Sequence, residues 1–372
     1  MTPNNVPFFN YGFLFGSNEG DFLKVATDAG RRGAFILQQD LADFEQHLAE
    51  FVGARRALGV GNATDGLHFA VRAAGIGPGD EVILSSHTMI ATAAAVHFAG
   101  ATAIPVECGA DHLIDANAVE AAITPSTRAI MPTQLNGRTC DMDALGAIAS
   151  KHGLVIIEDA AQALGSRFKG QCAGTFGLAA AISFYPAKVL GCLGDGGAAI
   201  TNDDAIYERI YQLRDHGRNT KGAIVSWGLN SRLDNLQAAL LDFQLKKYEK
   251  VMYRRRQLAA HYTERLQDVA EIVLPPAPDS DPDHFDIYQN YEIEAERRDD
   301  LKEYLKKNGI GTLIQWGGQA VHQLKALGFT QNLPKTDLLF QRMLMLPMNM
   351  AMSDEDLEYV CETIHSFYGY RR

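Results

Sequence analysis

Short apolar runs alternate along the chain with segments in which apolar residues recur every three or four positions. Short apolar runs with few polar residues predict strands that are buried on both faces. The predicted strands occupy residues 81–84, 103–106, 129–132, 154–159, 179–182 and 198–200. The spacing of Leu41, Phe44, Leu48 and Phe51 predicts one buried face of a helix. Alternating strands and helices predict a mostly parallel sheet with right-handed crossovers.

The pattern changes after a long Lys- and Arg-rich helical stretch at residues 236–266, whose charges predict a solvated face. Prolines between residues 275 and 282 mark the crossing to a small α+β lobe. The predicted elements of that lobe are a strand at 291–293, a helix at 299–308, a strand at 311–314 and a helix at 353–368. We therefore expect an α/β chain with a large domain at residues 1–250, N-terminal segment included, and a small domain at residues 251–372.

The composition narrows the classes of partner and compartment. With 372 residues and 47% hydrophobic content, the chain can bury one large and one smaller core. Its 34 basic and 45 acidic residues give a net charge of −11, which argues against nucleic acid or an anionic membrane as partner. The five scattered cysteines have neither disulfide nor metal-ligand spacing. The cysteine spacing therefore predicts no metal site. Because no secretory or membrane-spanning segment is evident, we expect a cytoplasmic protein.

The most informative segment is residues 183–197, in which Lys188 stands on a turn between two apolar runs. No other charged residue lies between Phe184 and Leu193. Burial among apolar groups lowers the pKa of an amine and makes it a nucleophile towards carbonyl groups. The alternative is a strand, a turn and a strand whose lysine extends into solvent.

A second candidate is Asp159, which precedes Lys188 by 29 residues and ends the apolar run 154–159. At the carboxyl end of a parallel strand, its carboxylate would enter the crevice where such sheets bind ligands. A protonated pyridine nitrogen would be a suitable partner, as catalysis by pyridoxal 5′-phosphate (PLP) requires. The alternative is the acidic strand of a nucleotide hydrolase, but that class needs a G-x-x-x-x-G-K-[ST] loop and the chain has none.

A third candidate is the glycine-punctuated loop at residues 59–66, which opens a segment with helical spacing. The backbone N–H groups of such a loop, with the hydroxyl of Thr64, are suited to binding phosphate. The simpler alternative is that Asn62 or Thr64 only caps the helix.

These three segments, in this order, resemble the PLP-dependent sugar aminotransferases of the DegT/StrS type, in the aspartate aminotransferase superfamily of fold type I. The motifs that carry the resemblance are NATDGL at 62–67, GPGDEVI at 77–83, ATA at 91–93, EDAAQ at 158–162, SFYPAK at 183–188, GDGG at 194–197 and GLNSRLD at 228–234. The resemblance implies a seven-stranded-type sheet between helices in the large domain, PLP bound to Lys188 as an internal aldimine, and a homodimer with active sites at the subunit interface.

The resemblance also implies roles for other cofactor-binding residues. Ala63 and Thr64 would bind the phosphate with Ser183, while Asp159 and Gln162 would contact the ring. Met89 stands where relatives usually carry an aromatic residue that stacks on the ring, and a core methionine is an equally good interpretation. Asn230 would reach the phosphate in the other subunit of the dimer, unless it serves only a local turn.

Four further residues are candidates for substrate contact: Asn136, Tyr185, Trp316 and His322. Asn136 follows a predicted strand, although its Asn-Gly pair is also typical of a turn. Trp316 could stack on a base or sugar, or lie in the core. The chain departs from the family pattern at Gln38 and Gln39, in place of a Gly-Pro pair, and at 315–318, in place of a His-Tyr-Pro type segment.

The resemblance implies transfer of an amino group from L-glutamate to a nucleotide-linked keto-sugar, for surface polysaccharide or glycoconjugate synthesis. Amination at C-3 and at C-4 of a 6-deoxyhexose are both open. Two other classes also remain: another fold type I enzyme, such as a lyase or dehydratase, and a non-catalytic regulator that binds PLP or a sugar nucleotide.

Overall fold

The structure is a computed structural model that describes residues 5–370. The helices are α1 (Tyr11–Gly16), α2 (Glu19–Arg32), α3 (Gln39–Val52), α4 (Ala63–Ala73), α5 (Ile90–Phe98), α6 (Ala116–Ala121), α7 (Met142–His152), α8 (Asp204–Arg214), α9 (Asn235–Leu245), α10 (Tyr248–Leu266), α11 (Arg298–Lys307), α12 (Pro334–Arg342) and α13 (Asp354–Tyr368). The strands are β1 (Arg56–Val60), β2 (Glu81–Ser85), β3 (Thr102–Val106), β4 (Thr127–Met131), β5 (Val155–Asp159), β6 (Arg167–Phe168), β7 (Gln171–Cys172), β8 (Ala179–Ser183), β9 (Gly197–Thr201), β10 (Ile272–Val273), β11 (His284–Phe285), β12 (Tyr291–Ala295) and β13 (Met343–Leu346).

The larger lobe is built on a seven-stranded sheet with the order β1-β9-β8-β5-β4-β2-β3. Strands β3, β2, β4, β5 and β8 pair in parallel, and β9 runs antiparallel to both β8 and β1. The predicted α/β fold with a mostly parallel sheet is therefore confirmed. The sheet brings the carboxyl ends of β5 and β8 side by side, since Asp159 is in register with Ala181.

Small side chains bring helix α4 close to the sheet. Strands β8 and β9 have the sequences AAAIS and GAAIT. A side chain on Gly66 of α4 would place its Cβ only 3.1 Å from the Cβ of Ala181. On the other face, Phe44 of α3 packs edge-on against Phe184, with ring centroids 5.3 Å apart. The N-terminus of α4 is therefore held next to the end of β8.

The smaller lobe has an antiparallel sheet in the order β10-β12-β13. The prediction of a strand at residues 311–314 is wrong, because Leu313 makes only an isolated bridge to Met345, while Gly311 donates its N–H to the carbonyl of Val6 at 2.8 Å. Strand β13, which the sequence pattern did not predict, is the strand that pairs with β12.

The predicted boundary between the domains falls inside a helix. Residues 250 and 251 lie within the continuous helix α10, so no linker separates the lobes there. The predicted helical stretch 236–266 is instead interrupted between α9 and α10. Val6 packs in the core of the smaller lobe and forms a bridge with Ile310, so the N-terminal segment does not belong to the large lobe alone. Among residues 5–370, no helix combines the length and apolar character needed to cross a bilayer.

Candidate active site

A cavity of about 790 Å³ lies at the carboxyl ends of the central strands, where parallel sheets bind ligands. Nine of the twelve residues predicted from the sequence line it: Ala63, Thr64, Met89, Asp159, Gln162, Ser183, Tyr185, Lys188 and Trp316. Lys188 is the one Lys or Arg among the described lining residues. The cavity therefore brings the three candidate segments together around a single amine.

Lys188 is held in the cavity by a tight turn and by an amide from the smaller lobe. Its backbone N–H donates to the carbonyl of Tyr185 at 2.8 Å. Gln289 bonds the backbone on both sides of Lys188, donating to the Ala187 carbonyl at 2.9 Å and accepting from the Val189 N–H at 3.0 Å. Burial lowers the pKa of Lys188 to about 8, against an opposing effect of the Asp159 charge. Near neutral pH this amine is far easier to deprotonate than an ordinary lysine.

Asp159 presents a desolvated carboxylate to the same cavity. The side chain is only 4% exposed, and it accepts from the Thr92 hydroxyl at 2.7 Å and from the Ala161 N–H at 3.1 Å. Burial raises the pKa of Asp159, although both hydrogen bonds and the Lys188 charge act in the opposite direction. A cationic group bound beside it would offset the cost of that burial.

The preceding residue, Glu158, faces the opposite side of β5, as strand alternation requires. Its carboxylate accepts from the N–H groups of Gly174, Phe176 and Gly177 and from the amide of Gln134, at 2.7 to 2.9 Å. Glu158 therefore anchors the loop after β7. The two adjacent acids thus have separate roles, one in loop structure and one in the cavity.

The N-terminus of α4 supplies free donors at the other end of the site. Asn62 is its N-cap, and its side-chain oxygen accepts the Asp65 N–H at 2.9 Å. Ala63 and Thr64, at the start of the helix, line the cavity together with Ser183, and the first N–H groups of a helix have no partner within it. A Cβ on Gly197 would lie 2.6 Å from the Ala63 nitrogen, so only glycine lets β9 pass this close. Such a cradle of backbone donors suits a phosphate group.

Gln162 presents its amide to the cavity with a fixed orientation. Its side-chain oxygen accepts from the Asn136 N–H at 2.9 Å and from Asn290 Nδ2 at 3.3 Å. Both of these bonds are made by the oxygen, and Gln162 Nε2 donates to no group within residues 5–370. Nε2 is therefore available to a ligand. An amide N–H in this position can stabilise an anionic oxygen.

Three further residues line the cavity, Met89, Tyr185 and Trp316, and Trp316 also packs against the hydrophobic core. Met89 and Tyr185 are about half exposed, at 46% and 50%. Trp316 adopts a left-handed backbone conformation with φ of +56°, and its indole N–H is buried without a partner among the described residues. All three side chains are positioned at the cavity wall, and their contacts with a ligand remain predictions.

Three predicted residues do not line the cavity. Asn136 lies behind it and is hydrogen-bonded to three residues that do line it, Gln162, Asn290 and Gln315. Asn230 is exposed at the base of a projecting loop. His322 is 2% exposed and bonded on both ring nitrogens, to the Ser86 hydroxyl at 2.7 Å and to Asp337 at 3.0 Å. Both ring nitrogens of His322 are therefore bonded to other protein groups, and its position does not support the predicted contact with a substrate.

Several lining residues were missed in the sequence: Phe9, Tyr11, Gln289, Asn290 and Gln315. They come from the N-terminal segment and the smaller lobe, far in sequence from the candidate motifs. The segment 315–318 was singled out as a departure from the family pattern, and that signal could have identified Gln315.

The donor set of the cavity suits a phosphorylated pyridine aldehyde. It has one desolvated amine for a carbonyl carbon, one buried carboxylate for a ring nitrogen, and a helix N-terminus for a phosphate. The residues present therefore fit PLP.

Comparison with known proteins supports this description. The model of the DegT/DnrJ/EryC1/StrS aminotransferase family matches residues 17–365. The chain is 43% identical to a dTDP-3-amino-3,4,6-trideoxy-α-D-glucose transaminase of Streptomyces venezuelae, over 85% of this chain and 82% of the relative. It is 38% identical to a pleiotropic regulatory protein of Geobacillus stearothermophilus, over 98% and 99% of the two chains.

Solved structures share this fold. A crystal structure of S. venezuelae DesV in complex with a ketimine intermediate matches with a TM-score of 0.94 and 37% identity, covering 99% of this chain and all of that one. Other structures of the same fold carry the cofactor in its PLP or PMP form.

The attraction between the charges of Lys188 and Asp159 predicts how the reactivity of the Lys188 amine depends on pH. In the cofactor-free protein, acetylation of Lys188 followed by mass spectrometry should have its midpoint near pH 8, because burial lowers its pKa to about 8. Asp159→Asn should lower that midpoint further, since it removes a negative charge that favours the ammonium form. Asp143→Asn, which changes a surface partner of Lys169, is the matched control. An unchanged midpoint in Asp159→Asn would refute the relation.

Proposed function

Because the chain belongs to the DegT/DnrJ/EryC1/StrS aminotransferase family, a family of PLP-dependent enzymes, we propose that it transfers an amino group from L-glutamate to a nucleotide-linked keto-sugar. The observation that carries the proposal is the convergence of Lys188, Asp159 and the N-terminus of α4 on one cavity. The product would be an amino-sugar for surface polysaccharide or another glycoconjugate.

We propose that Lys188 holds the cofactor covalently through Nζ. The lowered pKa of Lys188 supports this role, because a neutral amine is required for attack on an aldehyde. Asp159 would bind the ring nitrogen, and Gln162 Nε2 would donate to the ring oxygen. Ala63, Thr64 and Ser183 would bind the phosphate. When bound, PLP supplies an electron sink for the bonds at the amino carbon.

The residues of the chain then have distinct tasks. The free amine of Lys188 would take the proton from the Cα of the amino donor. In the second half of the reaction it would give a proton to the sugar carbon that receives the amino group. Asp159 keeps the ring nitrogen protonated through its charge. Thr92 and Ala161 hold the Asp159 carboxylate in place with hydrogen bonds at 2.7 and 3.1 Å.

The proposal for the acceptor rests on the size of the cavity and on the relatives. A volume of about 790 Å³ is within the range of sites for ligands larger than an amino acid. The S. venezuelae relative acts on a dTDP-linked amino-sugar, as its name states. Tyr185, Met89 and Trp316, which line the cavity, would contact the sugar or the nucleotide, with Met89 also beside the ring. C-3 and C-4 amination are the two outcomes to test.

The main rival is a regulator that binds the same ligands without turnover, which the name of the G. stearothermophilus relative brings into consideration. The presence of both a desolvated amine and a buried carboxylate in this chain supports catalysis instead. A lyase or dehydratase of the same fold type would release product from one substrate alone, without an acceptor sugar.

The first half of the transfer is directly measurable. Adding L-glutamate to the PLP-loaded protein should convert the absorbance of the lysine-bound cofactor to that of the amine form, with 2-oxoglutarate in equal amount. Lys188→Ala should lack the lysine-bound absorbance, and it should release 2-oxoglutarate at least about 10²- to 10⁴-fold more slowly, the usual contribution of a positioned proton-transfer group. Lys246→Ala, on the surface, is the control.

Three outcomes would contradict the proposal in different ways. No bound chromophore would refute the cofactor assignment. A chromophore that glutamate leaves unchanged would refute the donor or favour the regulator. Conversion by glutamate with no amino-sugar from any dTDP- or UDP-linked 3-keto- or 4-keto-hexose would refute the acceptor class.

We also propose that the active form is a homodimer with active sites at the subunit interface. Residues 216–230 form a projecting hairpin in which Val225 donates its N–H to the Gly217 carbonyl at 2.9 Å. Its apolar side chains are left in solvent, with Trp227 88% exposed and Ile224 69% exposed. Such a patch supports contact with another protein surface. Asn230 at its base would then bind the phosphate in the partner subunit's site.

Mixing two inactive variants tests this arrangement. Lys188→Ala and Asn230→Ala should each be inactive alone, but subunit exchange between them should restore up to about a quarter of the activity, because half the dimers regain one intact site under two-fold symmetry. Each variant unfolded and refolded alone is the control. No recovery in a mixture that does form heterodimers would show that Asn230 does not act across the interface.

We further infer a cytoplasmic location, since the five cysteines, all within residues 5–370, are buried and form no disulfide, and disulfides are typical of oxidising compartments. Recovery of the protein outside the cytoplasm in cell fractionation would contradict it.

A further inference from the structure

A buried polar network connects the smaller lobe to Gln162. It begins at Glu292 of β12, which is 2% exposed. Asn136 Nδ2 donates to Glu292 Oε1 at 3.1 Å, and Gln315 Nε2 donates to Oε2 at 2.7 Å. Asn290 Nδ2 donates to the side-chain oxygens of both Asn136, at 2.8 Å, and Gln162, at 3.3 Å. Four amide side chains are thus joined to one carboxylate behind the cavity.

The two ends of the network determine the orientation of the amides between them. A carboxylate only accepts hydrogen bonds, so Asn136 must turn its NH₂ group to Glu292 and its oxygen to Asn290. The backbone N–H of Asn136 only donates, and it meets Gln162 at 2.9 Å. Gln162 must therefore direct its oxygen into the network. Its Nε2 is left on the cavity side.

Glu292 keeps its acceptor character because its neighbours hold it ionised. Burial alone would raise the pKa of Glu292, but its interactions with His87 and His112, which include the hydrogen bond from His112 at 2.8 Å, outweigh burial and lower the pKa to about 2. Near neutral pH the positive charge is that of His112, because burial lowers the pKa of His87 to about 4. His112 also contacts Glu294, which pairs with Arg342. Its bonds to the two glutamates, against an opposing effect of burial, raise the pKa of His112 to about 9.

The backbone at Asn136 is adapted to this contact. Asn136 has a φ of +56°, in the left-handed region that asparagine tolerates better than most residues. The next residue, Gly137, approaches the smaller lobe so closely that a Cβ would lie 2.5 Å from the Gln289 nitrogen. The turn is thereby held between Gln162 and the segment that carries Asn290.

We propose that Glu292 and Asn136 are positioning residues that orient the Gln162 amide, so that its Nε2 donates to the ring oxygen of the bound cofactor. This inference rests on the proposed function, because it assumes a cofactor with an anionic ring oxygen in the cavity. Lys188 and Gln162 line the cavity, whereas Glu292 and Asn136 do not. Glu292 and Asn136 would therefore act on the cofactor only by orienting Gln162.

The test is the pH titration of the absorbance of the lysine-bound cofactor, which does not depend on turnover. A hydrogen-bond donor at the ring oxygen favours the deprotonated form of the chromophore. Loss of that donor therefore raises the apparent pKa of the chromophore. Gln162→Leu should raise it by about one to two pKa units, the effect of one hydrogen bond to a charged group. Asn136→Gly and Glu292→Gln should raise it in the same direction, by less.

The variants are chosen to preserve the fold and the other charges. Glycine adopts the left-handed conformation of residue 136 without strain and keeps the backbone donor. Glu294→Gln is the matched control, because it changes a partner of His112 and leaves Glu292 in place. The ionisable residues lining the cavity are unchanged in every variant: Tyr11, Asp65, Asp159, Tyr185, Lys188 and Asp195.

Comparing a double variant with its single variants distinguishes a positioning role from a general loss of structure. The double variant Gln162→Leu with Asn136→Gly should shift the apparent pKa no further than Gln162→Leu alone, because both act on one hydrogen bond. Additive shifts would overturn the inference, as would an unchanged apparent pKa in both Asn136→Gly and Glu292→Gln when Gln162→Leu shifts it.

The remaining outcomes distinguish this inference from the proposed function. If Gln162→Leu itself leaves the apparent pKa unchanged, the role of Gln162 is wrong and the inference fails with it. If the unsubstituted protein forms no lysine-bound chromophore, the proposed function has failed first.

Discussion

The site depends on one electrostatic relation, between the amine of Lys188 and the carboxylate of Asp159, both removed from bulk water. Burial shifts the two pKa values towards the neutral forms, and the attraction between the groups opposes both shifts. The sheet enforces their proximity, because β5 and β8 are parallel neighbours whose carboxyl ends coincide. A bound pyridinium would relieve the buried charge of Asp159 and leave the amine free to react with a carbonyl group.

Parts of the chain that are distant in sequence hold this relation in place. Gln289, beyond α10, bonds the backbone on either side of Lys188. Arg255 in turn binds the carbonyls of Tyr288 and Gln289 at 2.7 and 2.8 Å. The cavity is therefore complete only when the two lobes are packed together. This also explains why the polar network from Glu292 can influence a residue of the larger lobe.

Local patterns were enough to predict the central strands and the main chemical groups. The apolar runs before Asp159 and Lys188 are β5 and β8, and the family motifs identified seven residues that line the cavity, to which comparison with the family pattern added Met89 and Trp316. Strand β13 was missed because its pairing with β12 spans about fifty residues of intervening chain. The contacts of Gln289, Asn290 and Glu292 depend likewise on packing between lobes, which no local spacing records. His322 shows the converse, since a polar residue near a motif can serve only to satisfy buried partners.

The most direct test of the central claim is to locate the cofactor bond. The PLP-loaded protein is reduced with sodium borohydride, digested and analysed by mass spectrometry, with Asp159→Asn and Lys188→Ala in parallel. The account predicts a reduced cofactor adduct on the peptide that carries Lys188, absent in Lys188→Ala and retained on Lys188 but formed more weakly in Asp159→Asn. An adduct on another lysine of the unsubstituted protein, or none at all, would contradict it.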